Sequence, residues 1–232
     1  MRKKDVKGKN MDSQAVYVKM KSGFVSRFEQ NKRIRKLLSR IDENKATFAD
    51  LWAFSREVGR MASRSGIAVA DDLLQTEDCY NEIMNYLRTC CFEPVADYAE
   101  QTQAIQNVKK GISLKALKAE FDAARASGIA HNVAHAVEVQ EIQKMLGPSL
   151  ENFTDKTIAD TIHKNGRLQN GAGLKPVVIR VADPRCCEWC QSIAGVYNYE
   201  DVKETGNDVW LFHDNCRCSL EFDNGRTIKK IR

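Results

Sequence analysis

The stretch CCEWCQSIAG at residues 186–195 and its echo FHDNCRC at residues 212–218 hold five of the chain's eight cysteines and one of its four histidines. Cys187 and Cys190 form a C-x2-C pair, the spacing that lets two thiolates of one tight turn meet a single ion at about 2.3 Å. His213 and Cys216 form an H-x2-C pair. Two such pairs facing one another make a tetrahedral Cys3His site of the structural zinc type. Cys218 adds a choice. If 216–218 is extended, Cys216 and Cys218 point one way and Arg217 the other, so either thiol, or both in exchange, completes the sphere. Cys186 reads as a bystander. Four N/S ligands leave no position open for substrate, so the pattern describes a brace. Two readings stay open beside it: a redox C-x-x-C, for which a long following helix is missing, and plain core thiols or an oxidised pair.

Around the cluster the chain is β-rich. KPVVIRVAD (175–183) is a β-branched run, and VYNYE (196–200), VWLFH (209–213) and CSLEF (218–222) read as further short strands. A piece of about fifty residues hardly folds on its own core. A metal clip contributing about 10 kcal/mol or more of apparent binding energy would be its main brace. QNGAG (169–173) reads as the joint before it.

Upstream the period is helical. One stripe joins Ile34, Leu37, Leu38 and Ile41. A second helix starts at Thr47, with Asp50 in its first turn, and ends at Gly66. The face of Tyr80, Ile83, Met84, Leu87, Cys90 and Cys91 follows, its cysteines read as small core hydrophobes. A break is expected near Glu93, ahead of Pro94. Helical pattern resumes over 95–110 and 114–127. A helix over 130–146 is expected to stop at Gly147-Pro148, and a last one to run from Thr154 to about residue 166. The fold class is α+β, a mainly α-helical body with a small C-terminal β-rich zinc-binding module. The expected segments are a basic arm (1–24), a helical domain (25–170), the zinc-braced module (171–225) and a basic tail (226–232).

The 232 residues are 43% hydrophobic and 29% charged, an ordinary globular balance. No apolar run approaches the roughly 18–20 residues that span a bilayer, and the basic start lacks the apolar segment of a secretory signal. A membrane role is therefore not expected, and synthesis in the cytoplasm is. The net charge of +5 hides an asymmetry: residues 1–40 hold thirteen Lys/Arg against Asp5, Asp12 and Glu29. Such an arm suits nucleic acid or an acidic protein surface, unless it is simply solvated.

Competing motifs fare worse. HNVAH (131–135) lacks the glutamate that a zincin places after its first histidine, so His135 reads as half-buried beside Val139, Ile142 and Leu146. Neither G-x-x-x-x-G-K-[ST] nor G-x-G-x-x-G occurs. A zinc-stabilised DNA-binding or HNH-type nuclease protein is the alternative, but no histidine follows Cys218 to complete a nuclease site.

VVIRVADPRCCEWCQSIAGVYNYEDV (177–202), followed by WLFHDNCRCSLEFDNG (210–225), resembles the C-terminal signature of tailed-phage minor head proteins, the Mu F-like head morphogenesis family. In that pattern a strand leads into C-x-x-C, Ile193 and Gly195 begin the return, and H-x-N-C-x-C closes the motif. The GNDVWLFH approach to His213 departs from the family's proline-rich one. The resemblance implies a non-enzymatic virion component of the phage head, acting in head assembly and DNA packaging or delivery. Its implied partners are the portal protein and the major capsid or scaffold protein.

Overall fold

Thr47 accepts a hydrogen bond from the Asp50 N–H at 3.3 Å, and the Asp50 carboxylate takes the Thr47 N–H at 2.9 Å. This reciprocal cap starts α3 (Phe48–Ile67), the helix that organises the molecule. The structure is a computed structural model and describes residues 11–213 and 216–223. α3 buries Leu51, Trp52, Phe54, Val58 and Ala62 in the core and packs along α8 (Val139–Gly171), whose 33 residues extend about 50 Å. At Gly59 an added Cβ would stand 2.9 Å from the Glu151 Cα, so a glycine is what lets these two backbones cross closely.

α1 (Ser13–Gln30) and α2 (Lys32–Asp42) meet at Asn31, whose side chain accepts from the Arg33 and Ile34 N–H groups. The expected irregular arm over 1–24 is therefore corrected for residues 13–24. Val16, Met20 and Phe24, one per turn, are buried on α1, a spacing hidden by the lysines and serines between them. Residues 1–10 and the tail 226–232 lie outside the described residues.

α4 (Ala70–Leu74) and α5 (Tyr80–Tyr86) lead into a π-helical turn, Leu87–Phe92, and on into α6 (Glu93–Lys109). The expected break at Glu93 does not occur. Pro94 lacks an N–H and crowds the carbonyl four residues back, and a widened turn absorbs both without ending the helix. Cys79, Cys90 and Cys91 are buried as core residues. Burial pushes the Cys79 and Cys90 thiols up to about 11 and Cys91 well above its ordinary value, so all three stay protonated.

Three helical expectations fail. Residues 112–122 are not helical, because side chains of neighbouring helices take their backbone groups. Asn165 accepts from the Leu117 N–H at 3.0 Å and donates to its carbonyl at 2.6 Å, and Thr161 Oγ1 accepts from the Ala119 N–H. α7 (Ala123–Ala134) ends at an exposed His135, which corrects the half-buried reading. The Glu141 carboxylate takes the Val137 N–H, so α8 starts anew at Val139. α8 then runs through Pro148 and past Thr154 to Gly171. Burial of Ile142, Leu146, Leu150 and Phe153 on one face outweighs the local cost of the proline.

The sheet is antiparallel, in the order β2-β1-β3. β1 (Val177–Val181) pairs with β2 (Gly195–Asn198) through Ile179↔Val196, and with β3 (Ser219–Asp223) through Ile179↔Glu221. The short α9 (Glu188–Ser192) lies between β1 and β2. The VWLFH strand is not formed. Asn207 caps a 3-10 turn, Asp208–Trp210, and buries Trp210 with its Nε1–H on the Val202 carbonyl at 2.5 Å. Val178, Tyr199, Trp210, Leu220 and Phe222 belong to the same core as α3 and α8. Trp52 Nε1–H donates to the Leu220 carbonyl at 2.6 Å inside it. The α+β class of the sequence reading is thus the fold, with the β-rich part packed on the helices through a shared core.

At Gly166 an added Cβ would lie 2.5 Å from the Tyr199 ring, whereas at Gly128 it would meet nothing within 4 Å. Gly166→Ala is expected to cost about 1–3 kcal/mol in urea unfolding, and Gly128→Ala to gain up to about 1 kcal/mol. Asp155 is buried beside Ser55 Oγ at 2.9 Å, and burial pushes its carboxyl up to about 7. The folded state holds that proton more tightly than the unfolded chain, at about 3.9. Stability from this group is therefore greatest below about pH 4 and declines as pH rises to about 7. Asp155→Asn should flatten the slope of unfolding midpoint against pH over that window; an unchanged slope would contradict the assignment.

Candidate metal centre

Cys187 caps α9 with an extended backbone (φ −72°, ψ 165°), and Cys190 sits one turn on, fully buried. Cys187 is exposed and Cys190 buried, and the Cys190 N–H donates to the Cys187 sulfur, the first cause that draws the Cys187 thiol below its ordinary value; His213 adds to it. Opposite, the Cys216 N–H closes a turn onto the His213 carbonyl at 3.1 Å. His213 Nε2 stands 3.4 Å from Cys187 Sγ and 3.2 Å from Cys190 Sγ, and Cys190 Sγ stands 3.6 Å from Cys216 Sγ. Two triads result, Cys187–Cys190–His213 and Cys190–Cys216–Cys218, each with its ligand atoms within 4.8 Å of one another.

All five residues singled out from the sequence thus converge, with Cys190 shared between the triads. The edges of a tetrahedron with metal–sulfur bonds of 2.3 Å and metal–nitrogen bonds of about 2.0 Å are about 3.5–3.8 Å. The three separations above approach that size, so each triad fits part of a tetrahedral sphere, and the two triads meet at Cys190 without forming a single group within 4.8 Å. Cys216 and Cys218 stand together in the second triad, so the geometry does not choose between them for the fourth ligand. Cys186, read as a bystander, has its thiol against Cys218, which burial and that neighbour push upward in pKa. Burial raises Cys190, with Cys216 and Cys218 acting the same way. Burial also opposes ionisation of Cys218, but the Asp183 N–H and the Cys190 and Cys216 thiols outweigh it and draw its pKa down.

The profile of the VG15 protein family matches residues 72–230, most of the chain and all five of these residues. The chain belongs to this family. VG15 is a family of viral (phage) proteins. The chain has no significant match among curated proteins or among solved structures. No helix among the described residues of this VG15 protein is long and apolar enough to cross a membrane.

Arg180 was not singled out from the sequence, although its place in VVIRVAD was a signal: it shares the inward face of β1 with Val178. It is 2% exposed. Its guanidinium donates to the Val209 carbonyl at 3.1 Å, lies 4.0 Å from the Phe212 ring centre and approaches Cys216 Sγ at 3.9 Å. Among the described residues it has no carboxylate partner, and its Nε has no hydrogen-bond acceptor. A buried cation needs a counter-charge. A divalent ion with three thiolates and one imidazole carries a net charge of about −1, which matches one guanidinium. Arg180→Met is expected to weaken divalent-metal affinity about 10–100-fold, read by competition with a chromogenic chelator. Equal affinity in variant and parent would remove Arg180 from the centre.

Proposed function

We propose that this VG15 protein is a minor head protein of a tailed phage, a non-enzymatic structural component of the Mu F-like kind. In this reading one zinc ion braces its C-terminal end. The observation that carries the reading is the approach of two ligand pairs, 26 positions apart in the Cys190–Cys216 case, into two triads that share Cys190. Thiolate and imidazole donors in that geometry favour zinc over the hard oxygen-seeking cations. Three thiolates with the imidazole fill the sphere, so zinc would supply cross-linking and charge, with no position for a substrate.

Family membership supports the phage setting, and the ordered motif over 177–225 supports the head. The expected location is the virion, and the expected partners are the portal protein and the major capsid or scaffold protein. Packaged DNA is a further expected contact of the basic N-terminal segment. Within that segment Val16, Met20 and Phe24 face the core, so among the described residues it is the outward side of α1 that is open to such contact.

Cys190→Ser and His213→Ala are expected to lose stoichiometric zinc after gel filtration, while Cys186→Ser retains it. Because β1 and β3 share the helical core, faster hydrogen exchange after zinc loss should be confined to about residues 182–218. Equal zinc content in all three variants would defeat the ligand assignment. Co-sedimentation with procapsids tests the head role; metal-dependent nicking of DNA by the purified protein would overturn the non-enzymatic reading.

A further inference from the structure

Arg56, Arg60 and Arg64 fall on successive turns of α3, and α2 sets Arg33 beside them. Arg33 and Arg60 share a single oxygen of Glu57, at 3.2 and 2.6 Å, so one carboxylate answers two guanidiniums. Arg56 Nη2 donates to the carbonyls of Arg217 and Cys218 at 2.5 and 3.1 Å, and its guanidinium lies 5.9 Å from the Trp52 ring centre. Its buried Nε has no partner among the described residues. Arg33, Arg56, Arg60 and Arg217 line a cleft of about 430 Å³ between α3, α8 and the metal-binding loop, and Arg64 lies outside it. Through His213, Cys216, Arg217 and Asp183 that cleft adjoins a second of about 440 Å³, which adds Arg185.

The carboxylates on the lining leave the positive charge in excess. Asp183 accepts the Arg185 N–H at 2.8 Å and approaches its guanidinium at 3.8 Å. Glu151 and Asp155 are both desolvated, which favours their neutral forms. Among the described residues no free aromatic face lines the cleft: the Phe212 ring is covered by Arg180 and lies 5.3 Å from the Trp52 ring.

We propose that this arginine-lined cleft binds phosphate oxyanions, as the backbone of a nucleic-acid strand or as free phosphate. Planar guanidinium forks match phosphate oxygens in pairs and shed water more readily than ammonium groups. Arg56 and Arg60 are separated by about 6 Å along the helix, which lets each take a different phosphate of one strand. Without a stacking surface the contact reads backbone and not base, so it is independent of sequence. The site lies in the folded body, apart from residues 1–10, and stands whether or not the chain acts in a phage head. It also depends on the metal-binding loop, because the Arg217 and Cys218 carbonyls orient Arg56.

The test uses the full, metal-loaded chain and a fluorescent single-stranded oligonucleotide, with inorganic phosphate as competitor. The double variant Arg33→Gln/Arg60→Gln changes only exposed side chains, and its unfolding midpoint is checked first. It should bind at least about tenfold more weakly, with a log–log salt slope reduced by about 1.4. Arg64→Gln, outside the cleft, should leave affinity unchanged. Displacement by phosphate alone at equal affinity marks a free-phosphate site, and much tighter oligonucleotide binding marks a strand site. Undiminished binding by the double variant, no binding of either probe, or binding of poly-glutamate with neither probe bound would overturn the proposal.

Discussion

The indole of Trp52 donates to the carbonyl of Leu220 across 168 positions of sequence, in the interior of the molecule. A carbonyl at the edge of a three-stranded sheet, buried under a helix, would carry a desolvation penalty of about 1–3 kcal/mol if left unmade. This bond ties β3 to α3 in one register. That register brings Arg217 and Cys218 to the guanidinium of Arg56, and sets Cys218 beside Cys190. The metal centre and the arginine cleft are consequences of the same docking.

Charge at the centre is balanced over a short distance. Three thiolates and a divalent ion would leave one unit of negative charge, and the only buried guanidinium of the described residues stands against it. The adjoining cleft is not balanced in this way: four arginines line it beside desolvated carboxylates of α8, and positive charge is left over. The crossing that permits this is steric. Gly59 lets α8 approach α3, and Glu151, whose Cα would meet a Cβ there, is thereby fixed among the arginines. Burial of Asp155 follows from the same closeness.

The helical body and the metal centre differ in what physical signal announces them. Thr47 with Asp50 is a local cap, complete within four residues, and the structure has it. Cys187-x2-Cys190 and His213-x2-Cys216 are likewise local turns, and their chemistry needs only that the two turns meet. By contrast, 112–122 has a helical pattern but gives its backbone hydrogen bonds to Asn165 and Thr161, more than forty residues away. Pro148 reads as a stop, yet the apolar face that continues beyond it is buried and carries α8 onward.

Ligand types and spacing, caps, the β-branched run at β1 and the α+β class were therefore set by the sequence alone, because each rests on neighbours a few positions apart. Tertiary structure decided the rest. It placed Val16, Met20 and Phe24 in the core, turned VWLFH into a buried 3-10 turn, ran α8 unbroken to Gly171, and brought Arg180 to the thiols and Arg33 to Arg60. Each of these depends on which distant surface supplies burial, a hydrogen-bond partner or a counter-charge, and a linear pattern carries no record of that.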